Sequence, residues 1–162
     1  MSVFSFPAQV NERAARLVAA VVAVSLAGAL VGRVAWLVPL MAVGFVLRVG
    51  WGPAFSPLAR GAVALASFLW APRPVFGKPK RFAQAIGAVC TLGASALLFA
   101  GQGLAAWSLV GLVVVFALLE ASLGFCAGCW LYARLQALGV FGADVCVDCA
   151  PTPRAGVSES GR

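Results

Sequence analysis

Residues 82–119 carry no charge at all. No soluble fold this small can bury so long an uncharged stretch, since every face of its helices would need a protein cover. Runs of about eighteen or more apolar residues read instead as helices that cross a bilayer. The segment between Arg16 and Arg33 repeats the pattern. Four candidate spans result, at residues 14–32, 34–51, 82–100 and 104–132. Composition agrees: 62% of the 162 residues are hydrophobic and only 10% charged, with a mean hydropathy of +0.99. The expected fold class is all-α, an integral membrane four-helix bundle made of two transmembrane hairpins. Its main partner is the lipid bilayer.

The net charge of +7 does not indicate nucleic acid. No basic stripe with interleaved aromatics and no nucleic-acid motif accompanies it. The charges are explained by topology, because Lys and Arg collect in cytoplasmic loops. Arg13 and Arg16 precede the first span. Arg48, Arg60, Arg73, Lys78, Lys80 and Arg81 lie around the central connection, and Arg134, Arg154 and Arg162 follow the last span. The first hairpin loop holds only Arg33, and the second, Gly101-Gln102-Gly103, holds none. Both termini and the central connection are therefore expected in the cytoplasm. The opening MSVFSFPAQVNERAAR is broken by Pro7 and has no small-residue cleavage site, so it does not read as a signal peptide.

Three regions follow: a cytoplasmic N-terminus at 1–13, a transmembrane domain at 14–135 and a flexible cytoplasmic tail at 136–162. Within the domain, 53–80 is an interfacial segment. Ser56-Pro57 is a helix start, with Ser as cap and Pro in the first position. The apolar stretch after it is too short to span and suits a helix lying at the membrane surface. Residues 13–60 and 81–134 also share an order of features: basic start, span, Trp, span, Gly-rich end, Arg. Two hairpins in parallel orientation would produce it.

Several strings carry a family resemblance. They are VNER (10–13), GPAFSPLAR (52–60), GKPKRFAQAIG (77–87) and LEASLGFCAGCWLY (119–132). Together they resemble a bacterial integral-membrane family known as domain of unknown function 4395. The resemblance implies a small four-helix protein of the bacterial cytoplasmic (inner) membrane. It points toward thiol-redox or sulfur handling, implies no established reaction and transfers no catalytic residue.

Chemistry is concentrated in five cysteines. Cys126 and Cys129 form CAGC, Cys146 and Cys149 form CVDC in the tail, and Cys90 stands alone as a small packing residue. A reducing cytoplasm disfavours structural disulfides. As a dithiol, CAGC would serve a thiol-disulfide oxidoreductase-like or sulfur-relay function with a thioredoxin-like or sulfur-carrier partner. Cys126 would attack and Cys129 resolve. That chemistry needs a thiolate, which a helix N-terminus favours. An unbroken fourth helix puts CAGC at the wrong end and holds the two Cβ atoms about 5–6 Å apart, against about 3.8 Å in a disulfide. Redox chemistry therefore requires a break near Gly124 and a new helix by Phe125. In the alternative, Cys126, Cys129, Cys146 and Cys149 hold zinc with C-x2-C-x16-C-x2-C spacing. A third reading is a structural or assembly subunit without catalysis. The chain has no His, which removes acid–base triads and mixed His/Cys zinc sites.

Glu120 lies deep in apolar sequence, where a charge must be paired or face an interior. On a continuous helix it shares a stripe with Gly124 and Gly128, a GxxxG packing face that would also serve a homo-oligomer. Arg48, at similar depth, is the expected partner of Glu120 in an intramembrane ion pair.

Overall fold

The computed structural model describes residues 9–52, 56–69, 71 and 73–139. They form β1 (Gln9–Asn11), α1 (Glu12–Gly32), α2 (Leu37–Trp51), α3 (Pro57–Leu69), β2 (Pro74–Phe76), α4 (Gly77–Phe99), α5 (Gly103–Leu123) and α6 (Ala127–Ala137). Apart from one short strand pair, the described structure is helical. Helices α1, α4 and α5 are long and apolar enough to cross a membrane. α2 has 15 residues. At 1.5 Å per residue it reaches about 22 Å, short of the ~30 Å hydrocarbon core.

Besides an earlier start of α4, at Gly77 rather than Phe82, two boundaries differ from the sequence reading. The second helix begins at Leu37 rather than Val34, because Arg33 takes a left-handed conformation (φ 55) as the cap of α1. A turn follows, with Leu37 N–H bonded to Val34 O at 3.2 Å. The fourth apolar run is not one helix. It stops at Leu123 and restarts at Ala127.

The helix starts have local causes. Asn11 caps α1, its side chain accepting from Arg13 N–H at 3.1 Å, and Glu12 places a negative charge in the first turn. Helix α4 follows β2 directly and carries Pro79 in its first turn, where a missing N–H costs nothing. Between α4 and α5, Gly101 adopts φ 75 and Gln102 N–H returns to Leu97 O at 2.8 Å.

The order β1-α1-α2-α3 recurs as β2-α4-α5-α6, and the packing recurs with it. β1 pairs antiparallel with β2, Val10 opposite Val75. Helix α1 packs on α5 while α4 packs on α2; α3 lies on α1 while α6 lies on α4. The two halves thus exchange equivalent contacts. The centre is filled by Leu26, Val22, Val38 and Val110, and small residues such as Ala29, Ala42, Ala94 and Ala106 are buried among them. Small side chains allow close helix approach where apolar surroundings give no hydrophobic drive. At two places only Gly fits. A Cβ on Gly87 would come within 2.6 Å of the Phe45 ring, and one on Gly128 within 2.6 Å of Ala83 Cα. The outside is apolar: Val24, Val31, Phe68, Phe99 and Leu104 are all exposed, as suits lipid contact.

Gly128→Ala should push α6 off α4 and cost about 1–3 kcal/mol, since the clash is with backbone. Gly111→Ala, whose Cβ would meet no described atom within 4 Å, should change little. Thermal unfolding of both variants in detergent checks the contrast.

Candidate functional site

The site begins with the break in the fourth apolar run. Gly124 takes a left-handed conformation (φ 69), and its N–H closes α5 on Glu120 O at 3.1 Å. A residue with a side chain is strained there. The last carbonyls of α5 then need donors, and Arg16 supplies them from α1. Its Nη2 donates to Ser122 O at 2.7 Å and Ala121 O at 3.1 Å, and its Nε to Ala121 O at 3.3 Å. Arg81 does the same for α2, its Nε donating to Val49 O at 3.0 Å. After the break, Cys126 is extended (φ −99, ψ 104) and caps α6. Its Sγ accepts the N–H of Cys129 at 3.4 Å, and its carbonyl accepts the N–H of Trp130 at 3.0 Å. CAGC thus opens a helix.

The two thiols differ electrostatically. A hydrogen bond from the Cys129 side chain draws the Cys126 thiol below its ordinary value; the Lys80 charge and the Cys129 N–H act the same way, against burial and the Glu120 charge. The Cys129 thiol is pushed far up by the proton it shares with Cys126 and by burial. They titrate as a pair in which Cys126 ionises first. Neither is in a disulfide.

Beside them lies an ion pair that differs from the expected one. Lys80 Nζ, in the first turn of α4, donates to Glu120 Oε1. Arg48 is instead folded back along α2, its Nε donating to Gly44 O at 3.0 Å and its guanidinium 4.5 Å from the Phe45 ring centroid. Arg48 and Glu120 stand at equal depth, each four residues before the glycine that ends its helix, but Lys80 reaches the carboxylate first. Sequence reasoning placed Lys80 in the surface connection. It is buried, because α4 starts at Gly77 rather than at Phe82 and draws it into the packed end.

Gly124 and Gly128 do not share a helix face: Gly124 ends α5, and Gly128 seats α6 against Ala83 within the same chain. Among the described residues no group of three or more His, Cys, Asp or Glu side chains is placed to hold a metal. Cys146 and Cys149 lie outside the described residues, so the four-thiolate arrangement cannot be traced there. Arg48, Lys80, Glu120, Gln84, Cys90 and Cys126 line one cavity of about 500 Å³. Gln84, at the end of the PKRFAQ string among apolar residues, carries no motif that would have singled it out.

Lys80→Met alone should leave the half-buried Glu120 without its ion-pair partner and destabilise by about 1–3 kcal/mol. The double variant K80M/E120M should recover most of that loss. Denaturant or thermal unfolding in detergent measures the recovery, and its failure would remove the pair from the account.

No curated protein and no solved structure matches the chain. A family model, domain of unknown function (DUF4395), matches residues 10–137. That match takes in the broken helix, the Lys80–Glu120 pair and CAGC, and the chain belongs to the DUF4395 family.

Proposed function

We propose that the chain is a multi-pass protein of the bacterial inner membrane whose CAGC is a cytoplasm-facing dithiol for thiol-disulfide exchange. One observation carries the reading: Cys126 caps α6 with its Sγ accepting a backbone N–H of the first turn. A thiolate there is stabilised by the helix N-terminus and by the charge of Lys80. The orientation rests on charge. Arg16, Arg48, Lys80 and Arg81 belong to the helix ends around CAGC, while the α1–α2 turn at the other end carries only Arg33. In this arrangement α2 serves as the fourth, shortest span, and α3 lies along the membrane surface.

In the exchange step, the Cys126 thiolate attacks one sulfur of a partner disulfide. A mixed disulfide forms, and the partner's second sulfur leaves as a thiolate. Cys129 gives up its proton and attacks Cys126 Sγ. The internal disulfide closes, and the partner sulfur held in the mixed disulfide leaves as a second thiolate. Two electrons pass from the dithiol to the partner, a thioredoxin-like protein. The raised Cys129 thiol suits the resolving role, since it stays protonated until the mixed disulfide removes its neighbour's charge. With a sulfur carrier as partner, the same thiolate would accept a sulfane sulfur.

Iodoacetamide labelling against pH should separate the two thiols. Reactivity requires thiolate. Cys126 should therefore react with a midpoint below the ~8.5 of free cysteine, keeping its reactivity above that midpoint and losing it as pH falls through it. Cys129 should stay nearly inert over the same range. Membrane-impermeant reagents should label Cys126 in opened cells only, and Cys129→Ser should trap a mixed disulfide with a thioredoxin-like protein. Two thiols that label alike at free-cysteine pH, or stoichiometric zinc lost on changing either pair, would displace the reading.

A further inference from the structure

The cavity beside CAGC holds two polar groups whose bonding is incomplete. Arg48 is 3% exposed; its Nε bonds Gly44 O, its guanidinium stacks on Phe45 and the Glu120 charge acts on it from beyond ion-pair distance, which leaves its terminal nitrogens without a hydrogen bond among the described residues. Gln84 Oε1 is a buried acceptor without a donor among the described residues. Both groups line the cavity. Buried polar groups are normally satisfied, and each exception requires an explanation. Here one group offers donors and the other an acceptor, inside walls that are otherwise mostly apolar.

The walls also say how an occupant enters. Leu112, Phe116, Phe125 and Trp130 line the cavity and are at the same time exposed on the outer surface. The cavity therefore opens sideways, onto a surface that in a membrane faces lipid. Its occupant is lipid-soluble, largely apolar, and carries an oxygen that accepts from Arg48 and, in one of its states, an O–H that donates to Gln84. A fatty acid anion meets only the first demand. A quinone meets both: its carbonyl accepts from Arg48, and after reduction its hydroxyl donates to Gln84 Oε1. Phe116 and the apolar residues around it line the space that a head group would fill.

Cys126 lines the same cavity, which connects the occupant to the thiols. We propose that this cavity binds a membrane quinone and that the quinone takes the electron pair of the Cys126–Cys129 dithiol. The proposal rests on the dithiol reading above. The Cys126 thiolate adds to a substituted ring carbon, forming a C–S bond, and the ring's electron pair moves to the carbonyl oxygen beside Arg48. Cys129, its proton passing to the quinone oxygen, attacks Cys126 Sγ. The S–S bond forms, the C–S bond breaks, and its electron pair stays on the ring. A second proton, equal to the one Cys126 released to water, completes the hydroquinone. The sum is dithiol plus quinone giving disulfide plus hydroquinone, with two electrons and two protons moved; the disulfide is reduced again by the dithiol of the thioredoxin-like partner, the reversible exchange above running in the opposite direction.

The test uses the reduced full chain in lipid nanodiscs with decyl-benzoquinone, and in parallel with hydroxyethyl disulfide as a water-soluble oxidant. Hydroquinone and the Cys126–Cys129 disulfide should appear one to one, and the quinone should quench tryptophan fluorescence saturably through Trp130. Arg48→Gln and Gln84→Leu should each slow quinone reduction by about tenfold or more, the effect of one lost hydrogen bond to a charged or buried group, and slow hydroxyethyl disulfide exchange far less. The Gln84 variant keeps the proposal testable if the Arg48 variant fails to fold. Oxidation by hydroxyethyl disulfide with none by quinone overturns the quinone assignment and leaves the dithiol standing. So does quinone reduction at the wild-type rate in the Gln84 variant, or saturable binding of oleate with no thiol oxidation by quinone. A pair that neither oxidant converts overturns both readings.

Discussion

A helix that ends among apolar groups leaves carbonyls with no water to bond them, and each costs free energy until a donor is found. Arginine meets that need in both halves of this chain. Arg16 is the fifth residue of α1 and bonds the last carbonyls of α5; Arg81 is the fifth residue of α4 and bonds a carbonyl near the end of α2. Each guanidinium fastens the start of one half to a helix end in the other. With the β1–β2 pair between them, these bonds fix the relative position of four helix ends at one rim. α6 can leave the line of α5 at Gly124 because Arg16 satisfies the carbonyls that the break exposes.

The chemistry lies where the two halves stop matching. Gly52 ends α2 as Gly124 ends α5, both with positive φ. Four residues before these glycines stand Arg48 and Glu120. After them, Ser56 precedes α3 as Cys126 precedes α6, and each carbonyl accepts the N–H four residues on, from Arg60 and from Trp130. The backbone turn is shared and the residue before the helix differs: a serine in one half, and in the other a cysteine whose Sγ caps the first turn. The first turns differ likewise, since α4 carries Lys80 where α1 carries Ala15. One half thus supplies a capped helix start, and the other shows that this start is a feature of the fold rather than of the thiols.

The sequence showed the spans because charge and hydropathy change sharply at their ends. Arg33 and the uncharged run from Phe82 made α1, α4 and α5 readable to within a few residues. It did not show where the last run breaks. Phe125, Ala127, Trp130 and Leu131 are as apolar as α5, and a glycine in such a run serves equally as a packing contact or as a left-handed stop. Gly128 is the first and Gly124 the second. Spacing made them one stripe, while the backbone puts them on different helices. The partner of Glu120 was hidden for a related reason. Sequence position gives depth along a helix, which Arg48 and Glu120 share, but not the direction a side chain takes around it. Lys80 was hidden by its neighbours, since Lys78 and Arg81 beside it are exposed.

The Lys80–Glu120 pair also sets a limit on the thiols. A lone lysine beside Cys126 would favour the thiolate strongly, and a lone glutamate would suppress it. Together they act in opposite directions on one sulfur, leaving the hydrogen bonds from Cys129 as the leading influence. One of those bonds comes from the Cys129 backbone N–H, which holds Cys126 Sγ at the start of α6. The two sulfurs are thus set apart by hydrogen bonding at a helix start and by a nearby pair of opposite charges, without a histidine, a residue this chain does not contain.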